Sequence, residues 1–139
     1  MRIVLDTNII VSAFLWNGAS ARLFNKIMAT EIELFSSQTM LTELGNTLNK
    51  TKLQSKIMAT GIPPVAWVAK YESFCTIVTP MPAQNIAPDP DDDWVIATAI
   101  AAHADLIVTG DKPFLGIGNV GRIRIVTGIE ALEILDTCL

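Results

Sequence analysis

"IAPDPDDDWVIATAIAAHADLIVTGDK" occupies residues 86–112, and its reading decides the fold. Asp89, Asp91, Asp92 and Asp93 crowd together, and the residues after them are almost all apolar until Asp105 and Asp111. Adjacent carboxylates repel, and capping a helix uses only one of them, so the crowding points to a bound cation. Residues 93–103 are alanine-rich and apolar around most of a helical circumference, which predicts a buried helix. Residues 106–109 (LIVT) predict a strand. The predicted helix begins at Asp93 and leads into that strand, and Asp111 comes just past Gly110.

The same alternation extends over the rest of the chain. Strands are predicted at 2–5 (RIVL), 31–35 (EIELF), 75–78 (CTIV, ended by Pro80 and Pro82) and 123–126 (IRIV). Helices are predicted at 8–16, 19–28, 37–49, 50–60, 64–73 and 129–135, with breaks at Asn17-Gly18 and at residues 61–64. Strand–helix–strand repetition implies an α/β fold, a mostly parallel sheet with helices on both faces. The 139 residues carry no repeat or linker and read as one domain over 1–139, with residues 80–90 as a loop inside it.

Composition sets the outer limits. Half of the residues are hydrophobic, which predicts a well-filled core and an apolar surface covered by another chain, as in a homodimer or larger assembly. The longest apolar run, residues 94–102, is far short of the roughly 18 residues that a membrane span needs, so no membrane partner is expected. The opening residues turn acidic too soon for a signal peptide. Cys75 and Cys138 stand alone and read as buried thiols in a reducing cytoplasm. The net charge of −4 argues, taken whole, against a nucleic-acid partner. Seven of the 14 acids, however, are Asp6, Glu43, Asp89, Asp91, Asp92, Asp93 and Asp111, all assigned to one site. The remainder has ten basic against seven acidic residues, a surface that tolerates a phosphate backbone.

In an open parallel sheet the ligand crevice lies beyond the carboxyl ends of the strands. Asp6 directly follows the first predicted strand, Asp111 follows a later one, and Asp93 starts the helix between. Glu43 falls about 115° from the centre of the Met40/Leu41/Leu44/Leu48 stripe, on the flank of a helix's apolar face. Each acid taken alone has a structural reading. Asp6 and one of Asp91 to Asp93 suit helix caps, Glu43 a solvated helix position and Asp111 a turn. Their conjunction favours a site. His103, the single histidine, reads as a core residue, which removes the usual base for serine or cysteine nucleophiles. An all-oxygen carboxylate set suits Mg²⁺ or Mn²⁺, ions that bind phosphate groups and activate water.

With "IVLDTNIIVSAFL" at residues 3–15, "TELGNTL" at 42–48 and "DPDDDWVIATAIAAHADLIVTGDKPFL" at 89–115, the sequence resembles the PIN-domain family, in its toxin-type, VapC-like branch. The resemblance spans nearly the whole chain. It implies a three-layer α/β/α sandwich with about five mostly parallel strands, and a Mg²⁺- or Mn²⁺-dependent endoribonuclease that serves as the toxin of a toxin–antitoxin pair. It carries the catalytic and metal-holding roles to Asp6, Glu43, Asp93 and Asp111, with Asp92 as a further candidate metal ligand. Asn8 and Thr109 match small polar positions beside the metal. Asp89, Asp91 and Asp92 match an extra acidic stretch, and Trp94 stands where many relatives have a smaller or charged residue. Lys50, Lys52, Lys56 and Lys112 are candidate RNA contacts against a plain reading as solvated surface, and no aromatic or arginine pattern announces sequence-specific readout. The expected partners are RNA and an antitoxin protein.

Two other readings compete. A non-catalytic, metal-stabilised PIN-like module would bind a partner protein. A haloacid-dehalogenase-like phosphohydrolase would also place an Asp after its first strand, but it wants a second Asp two residues on, where this chain has Asn8.

Overall fold

The computed structural model describes residues 1–81 and 85–138, with only the backbone at Cys138. Pro82, part of the predicted 80–90 loop and the Cys138 thiol therefore lie outside the described residues. The strands are β1 Arg2–Leu5, β2 Glu33–Ser36, β3 Cys75–Ile77, β4 Leu106–Val108, β5 Asn119–Val120 and β6 Ile123–Val126. The helices are α1 Thr7–Leu15, α2 Ala19–Met28, α3 Gln38–Leu48, α4 Gln54–Thr60, α5 Pro64–Phe74, α6 Pro90–Ala101, α7 Lys112–Leu115 and α8 Gly128–Cys138. A 3-10 turn at Thr51–Leu53 leads into α4.

The strands form one sheet in the order β3-β2-β1-β4-β6-β5. Every pairing is parallel except β5 with β6. The expectation of about five strands thus becomes six among the described residues. The addition, β5, is two residues long and too short to leave a periodic signal in the sequence. The chain leaves β1 toward β2 and β3, then crosses back through α6 to β4 on the other side of β1. The β1–β4 junction is therefore the point where the winding reverses, the usual place for a ligand crevice.

Alternation along the strands supplies both cores. Ile3 and Leu5 of β1 face one layer with Leu34, Leu106 and Val108, where Leu23, Leu41, Leu44, Leu48 and Leu135 pack. Val4 faces the other layer with Phe35, Ile107 and Ile125, against Val95, Ile96 and Ala99 of α6. Burying one large aliphatic side chain contributes about 1.5–3 kcal/mol, so these two layers fix which face of the sheet each side chain takes.

Helix ends follow local chemistry. Ser37 caps α3, its hydroxyl accepting from the Met40 amide at 3.4 Å. The α4 helix stops at Gly61, whose φ of 71° lies in the left-handed region. The α6 helix starts at Pro90, three residues before the predicted start, because Asp89 is its cap and proline is well suited to the first helical position. At its other end His103 departs from expectation. It is exposed, at φ 51°, and closes the helix as the left-handed residue of a Schellman turn. Its amide bonds to the Ile100 carbonyl at 3.1 Å, and the Ala104 amide bonds to that of Ala99 at 2.9 Å. Cys75 is only half-buried, although burial pushes its thiol up to about 12.

A candidate metal-binding edge at the β1–β4 junction

Asp6 leaves β1 with its amide bonded to the Val108 carbonyl at 2.9 Å, so the ends of β1 and β4 are tied. Its own carbonyl accepts the first bonds of α1, from Ile9 at 3.0 Å and Ile10 at 3.2 Å. Its carboxylate does not close a side-chain cap; it accepts the Thr109 hydroxyl at 2.6 Å. Thr109 Oγ1 also accepts the Asp111 amide at 3.1 Å. One buried hydroxyl thus aligns two of the predicted acids. Burial raises the Asp6 carboxyl above the ordinary range. The Thr109 bond and the amides of Thr7 and Asn8 oppose that shift, and the Asp111 charge adds to it.

Asp111 is half-buried and caps α7, accepting the Phe114 amide at 3.2 Å. This helix is absent from the predicted elements because four residues show no period. Glu43 sits half-buried on α3, as its flank position predicts. Burial raises its carboxyl, and repulsion from Asp6, Asp91 and Asp89 adds to the rise. The Thr7 hydroxyl eases the shift at a geometry short of a regular hydrogen bond, and this buried hydroxyl has no other partner among the described residues.

The four acids at the start of α6 divide. Asp89 accepts the Asp91 amide at 3.0 Å as the helix cap. Asp91 is exposed. Asp92 faces the strand ends. Burial first, then the charges of Asp6, Asp89, Asp111 and Glu43, raise its carboxyl to about 7.

Asp93 departs from its expected place in the cluster. It is buried, and its Oδ1 accepts the amides of Ile86 at 2.8 Å and Ala87 at 2.7 Å. It stands beside an apolar pocket of about 110 Å³ with Met81, Ile96 and Ile100. The cause is helical phase. Asp92 lies one turn ahead of Val95 and Ile96 and two turns ahead of Ala99, on the stripe that packs on the sheet. Asp93 is rotated 100° from that stripe, in line with Ala97 and Ile100. The signal was present in the sequence, but an almost wholly apolar helix hides its sheet-facing stripe.

Asn8 is exposed in the first turn of α1, two residues from Asp6. Lys50, Lys52, Lys56 and Lys112 are all exposed. The structure brings Lys50 and Lys52 beside Asn8 and Trp16, and sets Lys56 Nζ 5.0 Å from the Trp16 ring centroid. Trp16 was not among the candidates in the sequence.

Among the described residues the salt bridges are Arg2–Glu33 and Lys26–Asp136, so no basic side chain neutralises Asp6, Glu43, Asp92 or Asp111. An unneutralised all-oxygen set fits a hard divalent cation. Among the same residues no three carboxylates converge on one point.

A family profile described as PIN domain matches residues 2–113. The chain belongs to the PIN-domain family. No curated protein sequence matches this PIN domain. Its fold is similar to a chain in the crystal structure of VapBC2 from Rickettsia felis bound to a promoter DNA fragment, at TM-score 0.63 and 18% identity over 91% of this chain and 98% of the other. It is also similar to VapBC-1 of nontypeable Haemophilus influenzae, at TM-score 0.59 and 14% identity over 93% and 99%. FitAcB of Neisseria gonorrhoeae gives TM-score 0.59 and 15% identity over 91% and 98%. These likenesses are likenesses of fold. No helix among the described residues is long and apolar enough to cross a membrane.

Proposed function

We propose that this PIN domain is a Mg²⁺- or Mn²⁺-dependent endoribonuclease that hydrolyses RNA phosphodiester bonds, and the toxin component of a toxin–antitoxin pair. The observation that carries the reading is the junction edge, where Asp6, Glu43, Asp92 and Asp111 gather without a basic partner among the described residues. The metal would be held by one or two of the Asp6, Asp92 and Asp111 carboxylates, with Asp92 in the role that the sequence suggested for Asp93. The ion, when bound, supplies Lewis acidity and a water of lowered pKa for in-line displacement at phosphorus. Glu43 would hold metal or take a proton from the attacking water, and its raised carboxyl suits a base working closer to neutrality. Thr109 keeps the Asp6 carboxylate in one orientation. Asn8 and the lysines at 50, 52, 56 and 112 would meet phosphate oxygens.

The VapBC and FitAcB likenesses support an antitoxin as protein partner. The exposure of Met58, Val65, Met81 and Ile129 supports a covered surface, by an antitoxin or by a second copy of the chain. A non-catalytic, partner-binding role is the second reading, favoured by the absence of three converging carboxylates among the described residues.

Cleavage of a labelled single-stranded RNA separates the two. The nuclease reading expects cleavage with Mn²⁺ or Mg²⁺, none in EDTA, and loss of cleavage in folded Asp6→Asn. Cleavage that persists in EDTA or in Asp6→Asn overturns it, and no cleavage with either ion leaves the partner-binding role.

A further inference from the structure

We propose that the groove between α1 and the segment after α3 is the track for single-stranded RNA, with Trp16 as a stacking platform for a base away from the cleaved bond. The proposal rests on the ribonuclease reading and extends it to how the substrate is held.

Asn8 and Ser12 lie one turn apart on α1, Trp16 is the residue that closes the helix four positions on, and Thr47, Lys50 and Lys52 form the opposite wall. The groove begins two residues from Asp6 and runs about 12 Å, eight residues at 1.5 Å each. Its volume is about 250 Å³. Enclosed small-molecule sites run from about 300 to 1,000 Å³, so this space suits a stretch of a longer ligand better than a whole one.

The chemistry along the groove is ordered. Asn8, two residues from Asp6, lies at one end, lysines line the wall, and an indole closes the other end. Trp16 is 43% exposed although it is among the largest apolar side chains. Lys56 stands over its ring at 5.0 Å, within cation–π range, so the indole is held against α4. From residue 44 to residue 60 the chain has three lysines and no acid. A basic wall with an aromatic face is the arrangement that holds unpaired nucleotides, phosphates on the ammonium groups and a base on the ring. A base inside a duplex offers no free face to the indole, which selects single strands. An acidic peptide would match the lysines but has no planar group for Trp16.

Fluorescence anisotropy of a labelled oligouridylate with the full chain in EDTA tests this, because no metal is available for cleavage. Trp16→Ala should weaken RNA binding roughly 5- to 150-fold, the effect of one lost base stack, and Trp16→Phe should retain most of the affinity. Lys50→Gln with Lys52→Gln should flatten the slope of log affinity against log salt by about 1.4, or 0.7 per phosphate contact. Heparin, which has charge and no bases, should bind wild type and Trp16→Ala alike. Unchanged RNA affinity in Trp16→Ala, or an equal loss for RNA and heparin, overturns the proposal. The two readings fail separately. RNA held through Trp16 but not cleaved with Mn²⁺ sinks the nuclease, whereas RNA cleaved equally well and bound equally tightly by Trp16→Ala sinks the track.

Discussion

The start of α1 and the start of α6 both bring acids to the same edge of the sheet, by opposite means. At α1 a single carboxylate, Asp6, is buried at the end of a strand and held by the Thr109 hydroxyl. At α6 four acids stand within five residues, and each has its own surroundings: Asp89 caps, Asp91 is solvated, Asp92 faces the junction and Asp93 holds the loop at Ile86 and Ala87. The density of charge in a sequence therefore says little about the density of charge at a site. Direction decides, and direction is set by helical phase against the sheet.

The largest expected effect sharpens that contrast between neighbours. Asp92→Asn should lower Mn²⁺-dependent RNA cleavage by more than the roughly 10–100-fold typical of groups that act through a metal's ligands. Asp93→Asn, which keeps an acceptor oxygen for the two loop amides, should cleave within a few-fold of wild type, on the order of the effect of a surface change. Initial rates for the two variants decide it; equal losses would break the division of labour between Asp92 and Asp93.

Stability should divide in the reverse sense. Asp93→Ala leaves two amides without their acceptor and should lose about 1–3 kcal/mol, in EDTA and in Mn²⁺ alike. Asp92→Ala removes a repelled charge, so its melting temperature in EDTA should equal or exceed that of wild type. Metal that binds only the native state stabilises it by an amount that grows with its concentration over Kd, so the Mn²⁺-induced rise should survive in Asp93→Ala and shrink in Asp92→Ala. Melting curves in both conditions provide the check, and a full Mn²⁺ shift in Asp92→Ala would remove that residue from the site.

A smaller effect comes from pH. The folded protein holds the Asp92 proton up to about 7, against an ordinary value of 3.8, and Asp6 and Glu43 shift in the same direction. A folded state that binds protons more tightly than the unfolded chain is stabilised at low pH. That contribution is complete below about pH 4 and is lost as pH rises through about 7. The metal-free protein should accordingly melt lower at pH 8 than at pH 5, and Asp92→Asn should flatten the trend. A flat wild-type profile in EDTA would mean that neither burial nor mutual repulsion raises these carboxyls in the folded protein.

The least effect belongs to the far end of α6. His103 holds a left-handed conformation that glycine adopts freely, at some entropic loss from the unfolded chain. His103→Gly should raise stability by up to about 1 kcal/mol, read by urea unfolding, with cleavage unchanged. A loss of stability would show that the imidazole makes a contribution of its own.

Much of this molecule was legible in its sequence. Residues 2–5 and 123–126 are strands to the residue, because short β-branched runs bounded by polar residues have few other readings. Asp6, Glu43 and Asp111 could be placed because each sits at or near an element end or on a helix flank that the pattern exposes. Asp92 and Asp93 could not be told apart, since the choice turns on which face of an almost uniformly apolar helix meets the sheet. Helix α7 and strand β5 are too short to leave a period, and the Lys56–Trp16 contact joins residues whose spacing carries no signal.

The antiparallel strand β5 has a consequence for the molecule in a crowded solution. An open sheet offers its outermost backbone to any passing chain, and long flat margins invite fibrous stacking. Here one margin is two residues long, reversed in direction and flanked by Gly118 and Gly121 at φ 81° and 58°. The other, β3, is three residues long, and Pro80 comes shortly after it. Neither margin gives a template long enough for a foreign strand to zip along. A chain that is half hydrophobic can therefore present apolar side chains to a chosen partner while its backbone edges stay closed to indiscriminate polymerisation.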